Sequence, residues 1–309
     1  MTLVSKIITS ELALFADDSV LYGVVNNISS AEVLQSDLNK LVVWSEKWQM
    51  TFNASKCFLL RITSSRDKVV DYTYTMMGEP ITSVTQHKYL GVELDSKLTW
   101  NEHISAFTGR ANSSLGFLRR NLYNCPEQIK TQAYYSLVRP HLEYAWSVWD
   151  PHTQKNIQSI AKVQSRAASF VKKCNQHTLS TITSLLEELK WPSLEQRRKQ
   201  TRLINLYKIV KGTLAVEIPN YFRQKERQKR NYHPLKFINA GYRTNVYIYS
   251  LFPRCIKEWN DLPETIIEAT NIEAFKLALR AQARPHRAFE LLLTFFIFIS
   301  PAQIHCTVF

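Results

Sequence analysis

The sequence predicts an α+β fold in which strand-rich residues 1–98 precede a mostly α-helical remainder. Before Trp100, short apolar runs alternate with turn residues, as in strands; after it, apolar residues recur at helical spacing. The chain has 309 residues, 45% of them hydrophobic, which is enough to bury one large core or two ordinary ones. A disulfide-stapled miniprotein and a wholly disordered chain are therefore excluded.

The first strands are predicted to form a β-hairpin with acidic residues at its tip. Residues 11–24 (ELALFADDSVLYGV) are two apolar runs separated by Ala16-Asp17-Asp18-Ser19. A helix follows, in which Ser29 and Glu32 have the spacing of a capping box and which runs to about Met50.

Short strands complete the first 98 residues. The segment 57–62 (CFLLRI) is typical of a buried strand, and segments 70–76 and 81–84 flank a turn at Gly78. Residues 88–94 are predicted to be one further strand. This part is therefore expected to consist of antiparallel strands plus one helix.

From residue 99 onward the apolar spacing predicts helices. One buried stripe is expected to consist of Ile104, Phe107, Ala111, Leu115, Leu118 and Leu122. Pro126 is placed to begin the next helix, with Ile129, Ala133 and Leu137 in register, and Pro140 to end or kink it. Further helices are predicted over 154–174, 179–190, 193–211 and 272–283.

The chain is basic, and its charge is unevenly distributed. The net charge is +13; residues 1–100 carry 9 Lys and Arg against 11 Asp and Glu, and the remainder carries 30 against 15. An isolated basic run is usually a solvated helix face, but the summed charge favours a nucleic-acid partner. The residues predicted to bind it are Arg110, Arg119, Arg120, Arg197, Arg198 and Lys199, and a further basic cluster lies at 223–230.

The cysteine pattern and the apolar runs favour an intracellular protein, in the nucleus or the cytoplasm. The five cysteines are odd in number and widely spaced, so reduced thiols are expected rather than disulfides or a zinc site. No secretory signal is expected at the N-terminus. The segment 291–299 (LLLTFFIFI) falls short of the roughly 20 residues of a membrane-spanning helix, so no membrane partner is predicted.

Asp17 and Asp18 are the sharpest chemical signal. Two adjacent carboxylates at a hairpin tip can be presented together to solvent, and hard divalent cations such as Mg²⁺ prefer oxygen ligands of this kind. A pair of such ions can stabilise the attacking and leaving oxygens of a phosphoryl displacement. The alternative is an ordinary turn, in which Asp is favoured for its own hydrogen bonds.

Several segments together resemble the reverse transcriptases of non-LTR (LINE-type, jockey-like) retrotransposons. The matching segments are LALFADDSVLY (12–22), VVWSEKWQMTFNASKC (42–57), HKYLGVELDSKLTWNEHI (87–104), ANSSLGFLRRNL (111–122), YYSLVRPHLEYAWSVWDP (134–151), IQSIAKVQSRAASFVKK (157–173) and WNDLPETIIEATNIEAFKLAL (259–279). They cover about residues 11–283, in the family's order and at natural spacings.

The resemblance implies a fold, a reaction and roles for matched residues. Asp17 and Asp18 match the paired catalytic aspartates of the polymerase palm, which bind Mg²⁺ or Mn²⁺, with Asp17 as the more direct ligand. Lys56 matches a lysine near the incoming dNTP, and Tyr89-Leu90-Gly91 matches the primer-grip strand. The implied activity is RNA-directed DNA synthesis, a two-metal nucleotidyl transfer, with an RNA template and a DNA primer, or their hybrid, as partners; the oligomeric state is left open.

The resemblance also implies domains and a departure from the family. Residues 1–98 correspond to an incomplete palm, 99–150 to thumb-like helices and 151–283 to a basic C-terminal region, with an apolar tail at 284–309. The family's first catalytic carboxylate lies upstream of the paired aspartates, where this chain offers only Glu11, on the hairpin itself. The fingers are likewise absent, so the chain is expected to be a fragment that does not polymerise alone. The alternatives are a non-catalytic RNA- or DNA-binding remnant and a decayed product without selected function.

Overall fold

The computed structural model describes residues 7–63, 69–174, 178–222, 235–238, 241 and 244–282. They fall into two compact units, one up to Asp261 and one from Leu262 onward. The boundaries predicted at 98/99 and 150/151 both lie inside the first unit, and the segment predicted over 151–283 extends into the second unit. The apolar tail 284–309 lies outside the described residues.

Eight short strands and one long helix make up the N-terminal part of the first unit. They are β1 (Glu11–Phe15), β2 (Asp18–Tyr22), α1 (Ile28–Lys47), β3 (Phe58–Leu60), β4 (Thr75–Met76), β5 (Glu79–Pro80), β6 (Thr82–Val84), β7 (Gln86–Tyr89) and β8 (Val92–Asp95). The strands form four two-stranded ladders. The pairs β1–β2, β4–β5 and β7–β8 are antiparallel, but β3–β6 is parallel, which differs from the wholly antiparallel arrangement predicted.

The N-cap residue of helix α1 is Asn27, two residues before the predicted Ser29. The Asn27 side chain accepts a hydrogen bond from the Ser30 backbone N–H at 2.8 Å, and the Ser30 hydroxyl accepts one from the Asn27 N–H at 3.1 Å. This reciprocal pair replaces the predicted Ser29 and Glu32 box, because Asn is as favourable as Ser at an N-cap. The helix ends at Lys47, three residues before the predicted end.

Two strand predictions are wrong in detail. The predicted single strand 88–94 is a hairpin, β7–β8, whose turn residues Leu90 and Gly91 have φ of 45° and 79°. Positive φ at both central residues is what a two-residue turn matching the strand twist requires. The predicted buried strand 57–62 is shorter, and Phe58 at its start is 46% exposed.

Helices form the rest of the described chain. Those of the first unit are α2 (Asn101–Asn121), α3 (Glu127–Leu137), α4 (Arg139–Glu143), α5 (Trp146–Trp149), α6 (Gln154–Val171), α7 (Leu179–Glu188), α8 (Leu194–Val210), α9 (Asn245–Ile248) and α10 (Leu251–Asn260). The second unit contains α11 (Glu264–Ile267) and α12 (Ile272–Gln282). None of these described helices has both the length and the apolar character needed to cross a lipid bilayer.

The core of the first unit lies among α2 to α8. The predicted stripe of α2 is buried from Ile104 to Leu118, and Trp149 is fully buried against Phe107, with ring centroids 4.5 Å apart. This core of the first unit also contains the buried Trp146 and Trp191.

The buried stripe predicted for α3 is wrong. Ile129 and Leu137 are about half exposed, whereas Lys130 and Tyr134 are buried. The Lys130 ammonium lies 5.1 Å from the centre of the Phe170 ring, and Tyr134 stacks on Trp191 at 4.3 Å. Attraction between the ammonium and the aromatic face compensates for part of the cost of burying this cation.

A buried carboxylate joins the end of α5 to α8 and α10. Asp150 forms ion pairs with three arginines: Arg198 Nε lies 2.8 Å from its Oδ1, Arg254 Nη1 lies 3.1 Å from its Oδ2, and Arg202 also donates to its Oδ2. Arg202 also donates to Glu258, Nε to Oε2, at 3.1 Å. Burial lowers the pKa of the Arg198 guanidinium to about 10.

We expect Asp150→Asn to lower the free energy of unfolding by roughly 3–5 kcal/mol, because it leaves buried guanidinium groups without a counter-charge. Urea denaturation of the two proteins measures this difference. As a control, Glu187→Gln removes an exposed carboxylate and should change stability by less than about 0.5 kcal/mol. Equal stability of Asp150→Asn and the wild type would contradict this role.

Candidate nucleic-acid and metal site

The predicted hairpin is present, and its tip carries both aspartates. Phe15 pairs with Asp18 at the end of the ladder, and Ala16 and Asp17 form the turn between the strands. Ala16 adopts φ of 50°, the left-handed conformation that such a tight turn requires. Asp17 therefore lies in the turn itself, while Asp18 begins β2.

Both carboxylates are free to take a ligand. Asp17 and Asp18 are exposed and make no hydrogen bond or salt bridge to any described residue. Mg²⁺ commonly takes one or two carboxylates and fills its remaining positions with phosphate oxygens and water. The donor set at the tip fits such an ion. Within the described ranges, the acidic tip included, no group of three or more His, Cys, Asp or Glu side chains could hold a metal.

The charge of the acidic tip acts on the first residue of the predicted primer grip, Tyr89. The pKa of the Tyr89 hydroxyl is raised, first by burial and then by the charge of the Asp18 carboxylate. This places Tyr89, the last residue of β7, within electrostatic reach of the tip. The predicted grip residues are a strand end and a turn rather than a strand, since Leu90 and Gly91 form the β7–β8 turn.

Two residues that the sequence did not single out hold the β7–β8 hairpin. The Tyr144 hydroxyl donates to the Leu90 carbonyl at 2.7 Å, and the Glu93 N–H donates to His103 Nδ1 at 3.2 Å. A Cβ on Gly91 would lie 3.3 Å from Tyr144 Cε1, so the ring closely covers the turn. These contacts join residues 54 and 10 positions apart, and no local pattern signals them.

Lys56 lies apart from these contacts. It is exposed and ends a short 3₁₀ turn, Ala54–Lys56, which the Asn53 side chain caps by accepting from the Ser55 N–H at 3.1 Å. Among the described residues, no hydrogen bond or ion pair joins Lys56 to the acidic tip. Its role beside an incoming nucleotide stays a prediction.

Three of the predicted nucleic-acid-binding residues are accessible on α2. Arg110, Arg119 and Arg120 are all exposed, and Phe117 beside them is 54% exposed. The charge of Arg110 contributes to the lowered pKa of His103, so this face begins near the β7–β8 hairpin. We call Arg110, Phe117, Arg119 and Arg120 the α2 face.

The burial of Arg198 corrects its assignment to a nucleic-acid surface. Arg198 is 2% exposed and pairs with Asp150, because a buried guanidinium needs a carboxylate partner. The Arg197 side chain is 30% exposed and its Nη2 donates to Glu143 Oε2 at 3.0 Å, so its assignment stays a prediction. Lys199 is exposed, and the cluster at 223–230 lies outside the described residues.

The comparisons with known proteins agree with the resemblance seen in the sequence. The probable RNA-directed DNA polymerase from transposon BS of Drosophila melanogaster is 28% identical over 178 residues, 55% of this chain and 19% of that protein. The RNA-directed DNA polymerase from mobile element jockey of Drosophila funebris is 29% identical over 162 residues, 50% of this chain and 17% of that protein. The probable polymerase from transposon X-element of Drosophila melanogaster is 24% identical over 180 residues.

These relatives are much longer than the chain, which spans about a fifth of their length. No protein-family model matches the chain, and no solved structure matches it. The similarity confirms the resemblance to the polymerases of jockey-like elements.

The lowered pKa of His103 predicts that the folded protein loses stability in acid. Burial, with smaller effects of Arg110 and Lys88, lowers its pKa to about 4 from an ordinary value of 6.5. The folded state therefore favours the neutral ring, and the unfolded state binds more protons between these two values. We expect the free energy of unfolding to fall as the pH decreases from about 6.5 to about 4.

The variant His103→Asn isolates this effect, because its Oδ1 can still accept from the Glu93 N–H but does not titrate. Urea denaturation at a series of pH values should show a shallower acid loss in the variant than in the wild type. The Asp37 carboxyl, whose pKa is lowered in the fold, also contributes to acid loss, but equally in both proteins. Identical slopes would contradict the interpretation of His103.

Proposed function

We propose that this chain, which is related to the reverse transcriptases of jockey-like non-LTR retrotransposons, contributes the metal-binding tip, the primer grip and a duplex-binding helix to RNA-directed DNA synthesis. The observation that carries the proposal is the acidic tip, where two exposed carboxylates lie together at the end of the β1–β2 hairpin and the charge of one of them, Asp18, raises the pKa of Tyr89. Polymerase chemistry needs hard ions and a primer end at the same place.

The acidic tip is the proposed site of Mg²⁺ or Mn²⁺. Asp17 and Asp18 would hold the ion, which supplies charge stabilisation to the attacking and leaving oxygens of nucleotidyl transfer when it is bound. Lys56 would meet the negative charge of the dNTP phosphates. These are the roles that the related polymerases imply for the matched residues, and that the chain does not polymerise by itself remains a prediction from its sequence.

The α2 face is the proposed contact to an RNA–DNA hybrid. Lysine and arginine side chains bind nucleic acid by neutralising phosphates and releasing counterions, independently of base sequence. Arg119 and Arg120 lie in the last turn of α2, and Arg110 lies more than two turns earlier, so these cations are spread along the helix. At about 100° per residue, Arg110 and Arg119 project to opposite sides of it. The exposed Phe117 ring adds apolar contact area between them.

A second candidate function is RNA or DNA binding without catalysis. The observation that favours it is that the α2 face does not depend on the acidic tip for its charge or its folding. The two candidates differ in one property: only the first needs the carboxylates of the tip to bind a divalent ion.

We expect Asp17→Asn to weaken Mn²⁺ binding by at least about tenfold, because it removes a charged oxygen ligand. Electron paramagnetic resonance of free Mn²⁺, with the RNA–DNA hybrid present, measures the binding. The matched control is Glu11→Gln, which removes an exposed carboxylate from the far end of the same hairpin and should leave binding unchanged. Equal binding by the wild type and Asp17→Asn would favour the non-catalytic candidate.

We expect replacement of Arg110, Arg119 and Arg120 by Gln to weaken hybrid binding and to lower the slope of log affinity against log salt by about 2 to 3. Fluorescence anisotropy with a labelled hybrid between 50 and 200 mM KCl measures this slope. A control with the same loss of charge replaces the exposed Lys190, Lys211 and Lys257 by Gln. If both triple variants lost the same slope, binding would follow net charge and not the α2 face.

A further inference from the structure

We infer that Tyr144 is a positioning residue for the primer strand, because it fixes the β7–β8 turn to the helical body. The inference rests on the proposed function, in which the turn holds the primer end near Asp17 and Asp18.

The contact is specific to the turn. The Tyr144 hydroxyl donates to the carbonyl of Leu90, one of the two turn residues, at 2.7 Å. The Tyr144 ring covers the other, since a Cβ on Gly91 would approach Cε1 to 3.3 Å. Glycine is favoured at position 91 for two reasons: the backbone has a φ of 79°, and the Tyr144 ring leaves little space for a side chain.

The core holds Tyr144 in place. The indole of the fully buried Trp149 donates to the Tyr144 carbonyl at 2.7 Å. Trp149 in turn packs against Phe107 and His103 at centroid distances of 4.5 and 5.3 Å. A continuous set of contacts thus runs from the core, through Tyr144, to the turn.

The turn is also held where β8 begins, so it cannot move freely once Tyr144 is bonded. Val92 is 5% exposed and belongs to the core, and the Glu93 N–H is bonded to His103. On the other side of the turn, Tyr89 is within electrostatic reach of Asp18. A small shift of the turn would therefore change the place of a primer end relative to the carboxylates, and reacting groups tolerate little misplacement.

The Tyr144 ring is also accessible, being 55% exposed. Its hydroxyl is engaged by the protein, whereas the rest of the ring borders solvent beside the turn. Tyr144 thus acts through the turn, and removal of the hydroxyl alone should alter the position of the primer end without removing any contact made by arginine.

The test uses Tyr144→Phe, which keeps the ring and removes the hydroxyl. An RNA template is annealed to a DNA primer that ends in the photoreactive base 4-thiothymidine at its 3′ terminus. The full chain is irradiated with this hybrid, and crosslinks are mapped by mass spectrometry. We expect the wild type to crosslink at residues 89–91, and Tyr144→Phe to reduce that yield by about three- to tenfold, as loss of one hydrogen bond implies.

Two controls separate positioning from stability and from general binding. Tyr123→Phe removes the hydroxyl of a tyrosine that is 60% exposed on the same helical body, and should leave the crosslink unchanged. Affinity for a blunt-ended hybrid, measured by anisotropy, should agree within about twofold among all three proteins, because the α2 face supplies it.

Each outcome bears on the inference. An unchanged crosslink in Tyr144→Phe overturns it and leaves the proposed function standing. A wild type that binds the hybrid yet crosslinks elsewhere overturns it together with the primer-grip part of the proposed function, but not the metal-binding tip or the duplex-binding helix. A parallel loss of crosslink and of blunt-hybrid affinity would assign Tyr144 a purely structural role. If the wild type does not bind the hybrid at all, the proposed function fails, and this inference fails with it.

Discussion

The buried carboxylate of Asp150 is the constraint on which the arrangement of the helical body depends. Guanidinium groups from α8 and α10 converge on it, so the end of α5 is fixed relative to both helices. The preceding residue, Trp149, packs on α2 and donates to the Tyr144 carbonyl. Two adjacent residues thus connect distant parts of the first unit: Asp150 contacts α8 and α10, and Trp149 contacts Tyr144, which is bonded to the β7–β8 turn. Replacing such a cluster by apolar side chains often costs nothing, but breaking it leaves uncompensated charge, so it acts chiefly by specifying one arrangement.

The N-terminal strands have a different physical basis. Their ladders are short, and few of their side chains are buried: Leu14, Tyr22 and Phe58 are 38%, 53% and 46% exposed. Two-stranded ladders are marginally stable alone and need packing against other elements. The β7–β8 hairpin receives that packing from α2 and Tyr144, and it is the part of the strand region whose side chains join the main core. The β1–β2 hairpin is held at its start by α1 instead, where the buried Asp37 carboxylate accepts from the Thr9 and Ser10 N–H groups at 2.9 and 2.7 Å.

Local features of the site could be predicted from the sequence, whereas contacts between distant residues could not. The FADD pattern gave the hairpin because apolar alternation around a turn is a local signal, and the α2 stripe followed from helical spacing. The prediction of which α3 residues are buried was wrong, because Lys130 is stabilised in the interior by the rings of Tyr123 and Phe170, which lie outside α3. The prediction that Arg198 faces nucleic acid was wrong for a similar reason. A run of basic residues on α8 is typical of a solvated face, and its partner Asp150 is distant in the sequence. Tyr144 gave no signal at all, because its partner is 54 residues away.

The contacts that the arginines make inside the fold also limit what the net charge of the chain indicates about nucleic-acid binding. Residues 101–309 carry 30 Lys and Arg against 15 Asp and Glu, a surplus typical of a protein that binds a polyanion. Yet Arg197, Arg198, Arg202 and Arg254 are engaged by Glu143, Asp150 and Glu258 inside the fold. Charge that is paired inside the fold is less available to a polyanion than charge on the surface, so the net charge alone overstates the charge that the chain can offer to phosphates.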